Sequence, residues 1–294
     1  MKQGVSFFEV FAYFIAGIFA FLCLYPFLLV IGGSFMTQSS FIHNGLQLIP
    51  SEVTLDAYRT ILRTSDRIIR SYGVTIFVTV VGTASALLVN SMAAFGLSRR
   101  ELIGRRILNF YVLFPMLFSG GMVSWYIVCV NILQISDSIY ALILPMMANP
   151  WNIFMIRIYF YRSIPESLYE AAKIDGASNI RIFFTLYLPL SKPILATISL
   201  FGGLAYWNDW FNALMLVRRD DLQPLQMFLR RIISNVQFLR SMDPTPEMQH
   251  LYASLPGEGL KMAMVIITIG PMILFYPFIQ RYFVKGIMIG SVKG

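Results

Sequence analysis

The residues with the widest chemical repertoire gather in two places. One is a run in which Trp207, Asn208, Asp209 and Trp210 precede Asn212. Aromatic faces beside amides and a carboxylate suit a polyhydroxylated ligand, whose ring faces stack while its hydroxyls take hydrogen bonds. The same residues equally suit Trp side chains at a membrane interface and an Asp that hydrogen-bonds a neighbouring helix, and the sequence leaves both readings open. The other place is Ser163–Pro193, SIPESLYEAAKIDGASNIRIFFTLYLPLSKP. No set of residues has catalytic or metal-binding spacing: there is no G-x-x-x-x-G-K-[ST] loop, no G-x-G-x-x-G and no H-E-x-x-H. His43 and His250 stand apart from any Cys or acidic cluster with ligand spacing. The expectation is no catalytic residue, no metal and no cofactor bound by this chain, so any energy input comes from elsewhere.

The elements that position these residues are membrane spans. Of 294 residues, 57% are apolar and only 13% charged, and the mean hydropathy is +0.66, more than a soluble core of this size requires. A helix crosses the hydrocarbon layer in about 20 apolar residues. Six charge-poor runs meet that length: Val10 to Met36, Gly73 to Leu97, Ile107 to Val130, Ile139 to Ile156 (closing near Phe160), Pro193 to Val217 and Gly259 to Phe283. The first is too long for the apolar core of a secretory signal and lacks an obvious cleavage site. Cys23 and Cys129 both fall inside apolar runs and read as small packing residues, not as a disulfide framework.

Orientation follows the basic residues, whose translocation is disfavoured. With the N-terminus cytoplasmic, the inner segments 1–6, 98–106, 161–192 and 281–294 hold twelve Lys and Arg against four acidic residues, while the outer segments hold nine of each. Both termini are therefore expected inside the cytoplasmic membrane of a prokaryote. The topology accounts for the net charge of +8, so a nucleic-acid surface is not expected, although the Arg99, Arg100, Arg105, Arg106 cluster is also placed to meet anionic lipid in the bilayer. The chain divides on this reading into 1–72, an N-terminal span with an outer cap, and 73–294, a five-helix core that contains the inner loop 161–192.

That loop parses as helix, turn, helix. Pro165 suits a first helical turn, Glu166 complements the helix dipole, and Ser163 or Ile164 stands where a cap belongs. Asp175-Gly176 ends the helix, because Gly accepts the left-handed conformation there. Ser178 can cap a second helix, on which Ile180, Phe183, Phe184, Tyr187 and Leu188 share an apolar face suited to the membrane side. Pro189 and Pro193 then turn the chain into the fifth span. Leu168, Ala171, Ala172 and Asp175 line one side of the first helix, where small alanines let another surface approach; lying passively on lipid is the other use of such a helix.

EAAKIDGA followed by LPLSKP resembles the EAA loop of the membrane subunits of binding-protein-dependent ABC importers, and IPESLYEAAKIDGAS looks like the carbohydrate-uptake class. Six spans with this loop after the fourth, WND after the fifth begins, and the tail GIMIGSVKG resemble the shorter permease of maltose-type systems, of the LplC type. The resemblance implies an all-α integral membrane protein with six transmembrane helices and a cytoplasmic coupling helix between the fourth and fifth. Glu170, Ala171, Ala172, Asp175 and Gly176 occupy the motif positions that meet an ATPase: Glu170 offers charge, the alanines fit, and Gly176 the turn. It also implies a heterodimer with a second permease, two ATPase subunits that bind ATP and Mg, and an extracytoplasmic solute-binding protein met by Gln237 to Gly257. The implied function is half of the translocation path for a carbohydrate, an oligosaccharide by class. A non-sugar solute and an ion-coupled carrier are the alternatives; the latter needs several buried ionisable groups, and this chain offers essentially Asp209.

Overall fold

The computed structural model describes residues 7–63, 65–241 and 257–273. Among them the only β pairing is a single bridge between Met36 and Val53; everything else is helix and connection. The helices in chain order are α1 Phe7–Ser34, α2 Gln38–Asn44, α3 Asp56–Arg63, α4 Ser65–Ser98, α5 Arg105–Leu117, α6 Gly121–Ile127, α7 Tyr140–Met147, α8 Pro150–Ser163, α9 Glu166–Ile174, α10 Asn179–Ile182, α11 Leu188–Leu190, α12 Lys192–Trp207, α13 Phe211–Leu216 and α14 Leu225–Ser241. Residues 258–273 are also helical. The remainder of the sixth expected span and the GIMIGSVKG tail lie outside the described residues, as does most of the segment Gln237 to Gly257.

Among the described residues, only α1 and α4 are single helices long and apolar enough to cross a bilayer. Residues 8–28 of α1 are exposed all round, a surface of Phe, Leu and Ile side chains that water would not tolerate and lipid does. The expected third, fourth and fifth spans are interrupted. The third stops at Leu117, after Pro115, and resumes at Gly121, whose φ of +79 an L side chain resists. The fourth breaks at Ala148-Asn149 and bends by 48°; Pro150 forces Asn149 into an extended conformation, and the Asn149 side chain then caps α8 at the Asn152 amide. The fifth breaks between Trp207 and Phe211.

The described residues form two compact units, one from residues up to 68 together with 229–273, the other from 69–228. In the first, the Tyr58 hydroxyl donates to Ser34 Oγ at 2.9 Å, and Gly33 leaves room for Met262 to lie where a Cβ would stand. In the second, two apolar clusters form the core. One joins α4, α8, α9, α10 and the turn after it through Ala94, Phe95, Ile156, Phe160, Tyr169, Ile182, Phe183 and Tyr187. The other joins α4, α7, α12 and α13 through Val78, Ala86, Leu142, Tyr206 and Leu216.

Asn90 holds the broken fourth span together. Fully buried on α4, it donates from Nδ2 to the Met147 carbonyl at 3.1 Å and accepts from the Asn149 amide at Oδ1 at 2.9 Å. These are the backbone groups that the break removes from the helical ladder, and in a membrane no water replaces them.

Candidate functional site

The segment after α8 folds as helix, turn, helix, with details that the sequence did not give. α9 begins at Glu166, and its N-cap is Pro165, in an extended conformation without a side-chain cap bond; neither Ser163 nor Ile164 takes that role. At the other end Gly176 adopts φ +78. Its amide donates to Lys173 O at 3.0 Å and that of Ala177 to Ala172 O at 2.9 Å, the paired bonds of a Schellman stop. Ser178 caps α10 by accepting from the Arg181 amide. A wide turn over Phe183–Tyr187 then shifts the helical register. It buries Ile182, Phe183 and Tyr187 in the core and leaves Ile180 and Phe184 exposed, so the expected single apolar face is divided between core and surroundings. α11 gives way to α12 through a bend of 84° at Ser191, with Pro193 in the first turn of α12.

One face of α9 is fixed and the other is free. Tyr169 is 3% exposed, and its hydroxyl donates to Asn179 Oδ1 at 3.0 Å with Glu101 a further 3.5 Å contact. The Arg99 guanidinium, at the end of α4, lies 4.3 Å from the Tyr169 ring centroid, 4.9 Å from that of Tyr187 and 5.2 Å from that of Phe95, and its Nη2 donates to the Tyr187 hydroxyl at 2.8 Å. This aromatic cage ties α9 and the turn after α10 to α4. Burial, then the charge of Glu101, pushes the Tyr169 hydroxyl above its ordinary value, partly offset by Arg99. Arg100 pairs with Glu166 at 3.4 Å, both well exposed, a contact of small energetic weight. On the opposite face Leu168, Glu170, Ala171, Ile174 and Asp175 are exposed, Ile174 at 87%. Ala172 is half-buried against the core. The sequence assigns Arg99 to a lipid-facing cluster, whereas it stands among three aromatic rings that distant segments supply; Ile174 is the further exposed residue of this face that the sequence reading does not single out.

The polar run in the fifth span is a helix break and not one helical face. Asp209 Oδ1 accepts from the amides of Phe211 and Asn212 at 3.1 and 3.2 Å, and Oδ2 accepts from Asn212 Nδ2 at 2.8 Å. Its carboxylate thus caps the first two amides of α13 from one residue before the N-cap position, which Trp210 holds. Trp207 and Asn212 are buried, Trp210 is half-buried, and exposed Asn208 accepts from Gln226 Nε2 at 3.1 Å. A cleft of ≈ 580 Å³ lies nearby along the break of the fourth span, lined by Trp151, Asn152, Thr197, Phe201 and Tyr206 among others. Among the described residues no three His, Cys, Asp or Glu side chains form a metal-binding group.

Residues 84–289 match the family model of the binding-protein-dependent transport system inner membrane component. The chain belongs to this family. It is 43% identical over 283 residues to the polygalacturonan/rhamnogalacturonan transport system permease protein YtcP of Bacillus subtilis (strain 168), covering 94% of each chain. It is 42% identical over 281 residues to the protein LplC of the same organism, covering 96% of this chain and 92% of that one. Among solved structures, the crystal structure of a bacterial ABC transporter involved in the import of the acidic polysaccharide alginate matches with TM-score 0.81 and 30% identity, over 96% of this chain and 100% of the matched one. The permease is thus a transport subunit and a multi-pass membrane component. The interrupted helices take on a meaning in this setting: non-helical backbone at membrane depth occurs where it is buried in protein or lines a cavity.

Proposed function

We propose that this permease is one of two different membrane subunits that enclose the path of an ATP-driven importer, and that its solute is an oligosaccharide. A solute-binding protein delivers the sugar on the outer side, and two ATPase subunits bind ATP and Mg on the inner side. The observation that carries the reading is the free face of α9, where Glu170, Ala171 and Asp175 stand exposed on a helix whose other face is locked to α4 through Tyr169. Such a helix passes a push from outside the chain into a span without unfolding. Glu170 and Ala171 meet the ATPase, Ala172 seats α9 against the core, and Asp175 with Gly176 fixes the length of the helix. ATP binding favours one orientation of the path through contacts at α9 that differ between the two states, as any population shift requires.

The identity of the solute class is supported by the names of the relatives, which give polygalacturonan/rhamnogalacturonan for one and the acidic polysaccharide alginate for another. In the path we assign direct contact to Asn208 and Trp210. Trp207, Asp209 and Asn212 hold the break that presents them, since both Asp209 oxygens are already engaged. The excess of Lys and Arg in the segments that include α9 supports a cytoplasmic position for it and for both termini.

The test is gentle purification of the tagged chain, identification of the proteins that accompany it, and a screen of oligosaccharides, uronate oligomers first, for stimulation of ATP hydrolysis. A second permease, an ATPase and sugar-stimulated hydrolysis are the expected results. Solute movement by this chain alone in liposomes, with no ATPase bound, overturns the reading.

A further inference from the structure

A second cleft, of ≈ 240 Å³, opens between the start of α5 and the end of α8, lined by Ser98, Arg105, Phe154, Arg157, Ile158, Tyr161 and Arg162. Three of its seven lining residues are arginines, and none is acidic. Arg105 donates from Nε to the Leu97 carbonyl at 3.2 Å, which leaves its two terminal nitrogens over. Arg105 and Arg157 repel each other electrostatically, and among the described residues no carboxylate pairs with Arg105, Arg157 or Arg162. The contrast with Arg100, which has Glu166 at 3.4 Å, shows that acids were available nearby and are absent from this cleft. Arg105 and Arg157 are half-buried and Arg162 is exposed, so three like charges line one small cleft, and an anion among them relieves their repulsion.

The surroundings say what kind of anion. Arg157 and Arg162 lie on the last two turns of α8, the second half of a bent helix pair that is together long and apolar enough for a span, and it is at its ends that a span meets lipid headgroups. The remaining wall is apolar and aromatic: Phe154 and Ile158 sit one helical turn apart on α8, and Tyr161, 63% exposed, stands at the rim. A phosphate is matched by arginine forks in a way that lysine does not reproduce. An aliphatic chain is matched by Phe154 and Ile158.

We propose that this cleft is the binding site of an anionic phospholipid: its phosphate lies between Arg105, Arg157 and Arg162, and its first acyl carbons lie along Phe154 and Ile158. The lipid supplies the missing counter-charge and fastens the end of α8, which leads directly into α9, to the start of α5. A free inorganic phosphate would satisfy the same arginines but not the apolar wall, and the test separates the two.

The full-length permease, in the assembly with which it purifies, is reconstituted into phosphatidylcholine doped with phosphatidylglycerol, extracted in mild detergent, and its retained lipids are counted by native mass spectrometry. The wild type retains phosphatidylglycerol in preference to phosphatidylcholine. Arg157→Gln and Arg162→Gln each lower that preference roughly fivefold, the worth of one arginine at an anionic lipid surface. Arg181→Gln, which removes a cation outside the cleft, does not. Millimolar inorganic phosphate leaves the retained lipid in place; displacement by phosphate overturns the lipid assignment in favour of a free-anion site. Equal retention in the wild type and both glutamine variants overturns the site itself. Should a glutamine variant fail to insert, the decision rests on the wild type: no preference for phosphatidylglycerol over phosphatidylcholine is enough to reject the proposal. Because the readout is retained lipid, it is independent of whether sugar stimulates hydrolysis.

Discussion

Asn90 offers a perturbation whose size follows from two bonds. Replacing it with Leu keeps the branched shape of the side chain on α4, at somewhat larger volume, but removes the donor to the Met147 carbonyl and the acceptor of the Asn149 amide. Each lost bond strands a buried backbone group at about 1–3 kcal/mol, so the loss is about 2–6 kcal/mol; the roughly 0.6 kcal/mol average measured between membrane helices sets a floor of about 1 kcal/mol. The expected destabilisation is therefore about 1–6 kcal/mol, and its effect is local. The two halves of the broken fourth span lose their tie to α4, so the Asn149 amide exchanges faster with solvent hydrogen than its neighbours inside α8. Asn90→Asp keeps the acceptor for Asn149 and, while protonated, can still donate to the Met147 carbonyl, so it is milder than Asn90→Leu until the pH is high enough to force a buried charge. The assay is denaturant unfolding of the detergent-purified chain, with hydrogen exchange read at residues 147–152. An unchanged unfolding midpoint together with unchanged exchange at Asn149 in Asn90→Leu would refute the claim that this side chain holds the break.

Gly176 has φ +78 with nothing within 4 Å of where a Cβ would go, so Gly176→Val strains backbone alone, by roughly 1–2 kcal/mol, and reduces solute-stimulated ATP hydrolysis in an otherwise inserted assembly. Gly176→Asn, which tolerates that conformation, is milder, and equal effects of the two would argue against a backbone cause. For Tyr169, burial and Glu101 raise the hydroxyl above its unfolded value; the anchoring of α9 is then complete below the ordinary tyrosine range and is lost as pH climbs through the raised value. Unfolding followed against alkaline pH shows that step in the wild type and a reduced one in Tyr169→Phe. Asp209→Asn keeps an oxygen for the α13 amides and retains uptake, whereas Asp209→Ala loses about 1 kcal/mol of capping and uptake with it. Loss of uptake in Asp209→Asn would mean instead that the carboxylate charge itself meets the solute.

How much was legible in the sequence depends on the range over which each signal acts. The stop at Gly176 and the cap at Ser178 are local rules of backbone conformation and hold to the residue, while the turn expected from Pro189 and Pro193 falls between them, at Ser191. Hydropathy reports that a run is apolar but not that it is one helix; Pro115 and Pro145 mark weak points in the third and fourth spans without giving the breaks at 118–120 and 148–149, and nothing local marks the one at 208–210. Pro150, directly after Asn149, carried a local sign of one of them. The Trp207–Asn212 run was read on a continuous helix, and its Asp209 turned out to cap the next one. Contacts that join distant segments left no local trace. Asn90 with residues 147 and 149, Arg99 within three aromatic rings, and the convergence of Arg105, Arg157 and Arg162 all depend on how α4, α5 and α8 pack.

The central claim, that the free face of α9 is gripped by a separate ATPase, is tested most directly by cross-linking from that face. In a background with Cys23 and Cys129 replaced, Ala171→Cys is treated with a short thiol cross-linker in assembled membranes, with Thr185→Cys, exposed but off α9, as the comparison. The account predicts an ATPase adduct from position 171 whose yield changes when ATP is added, and none from position 185. An intact, transport-competent assembly with no adduct from position 171 would contradict it.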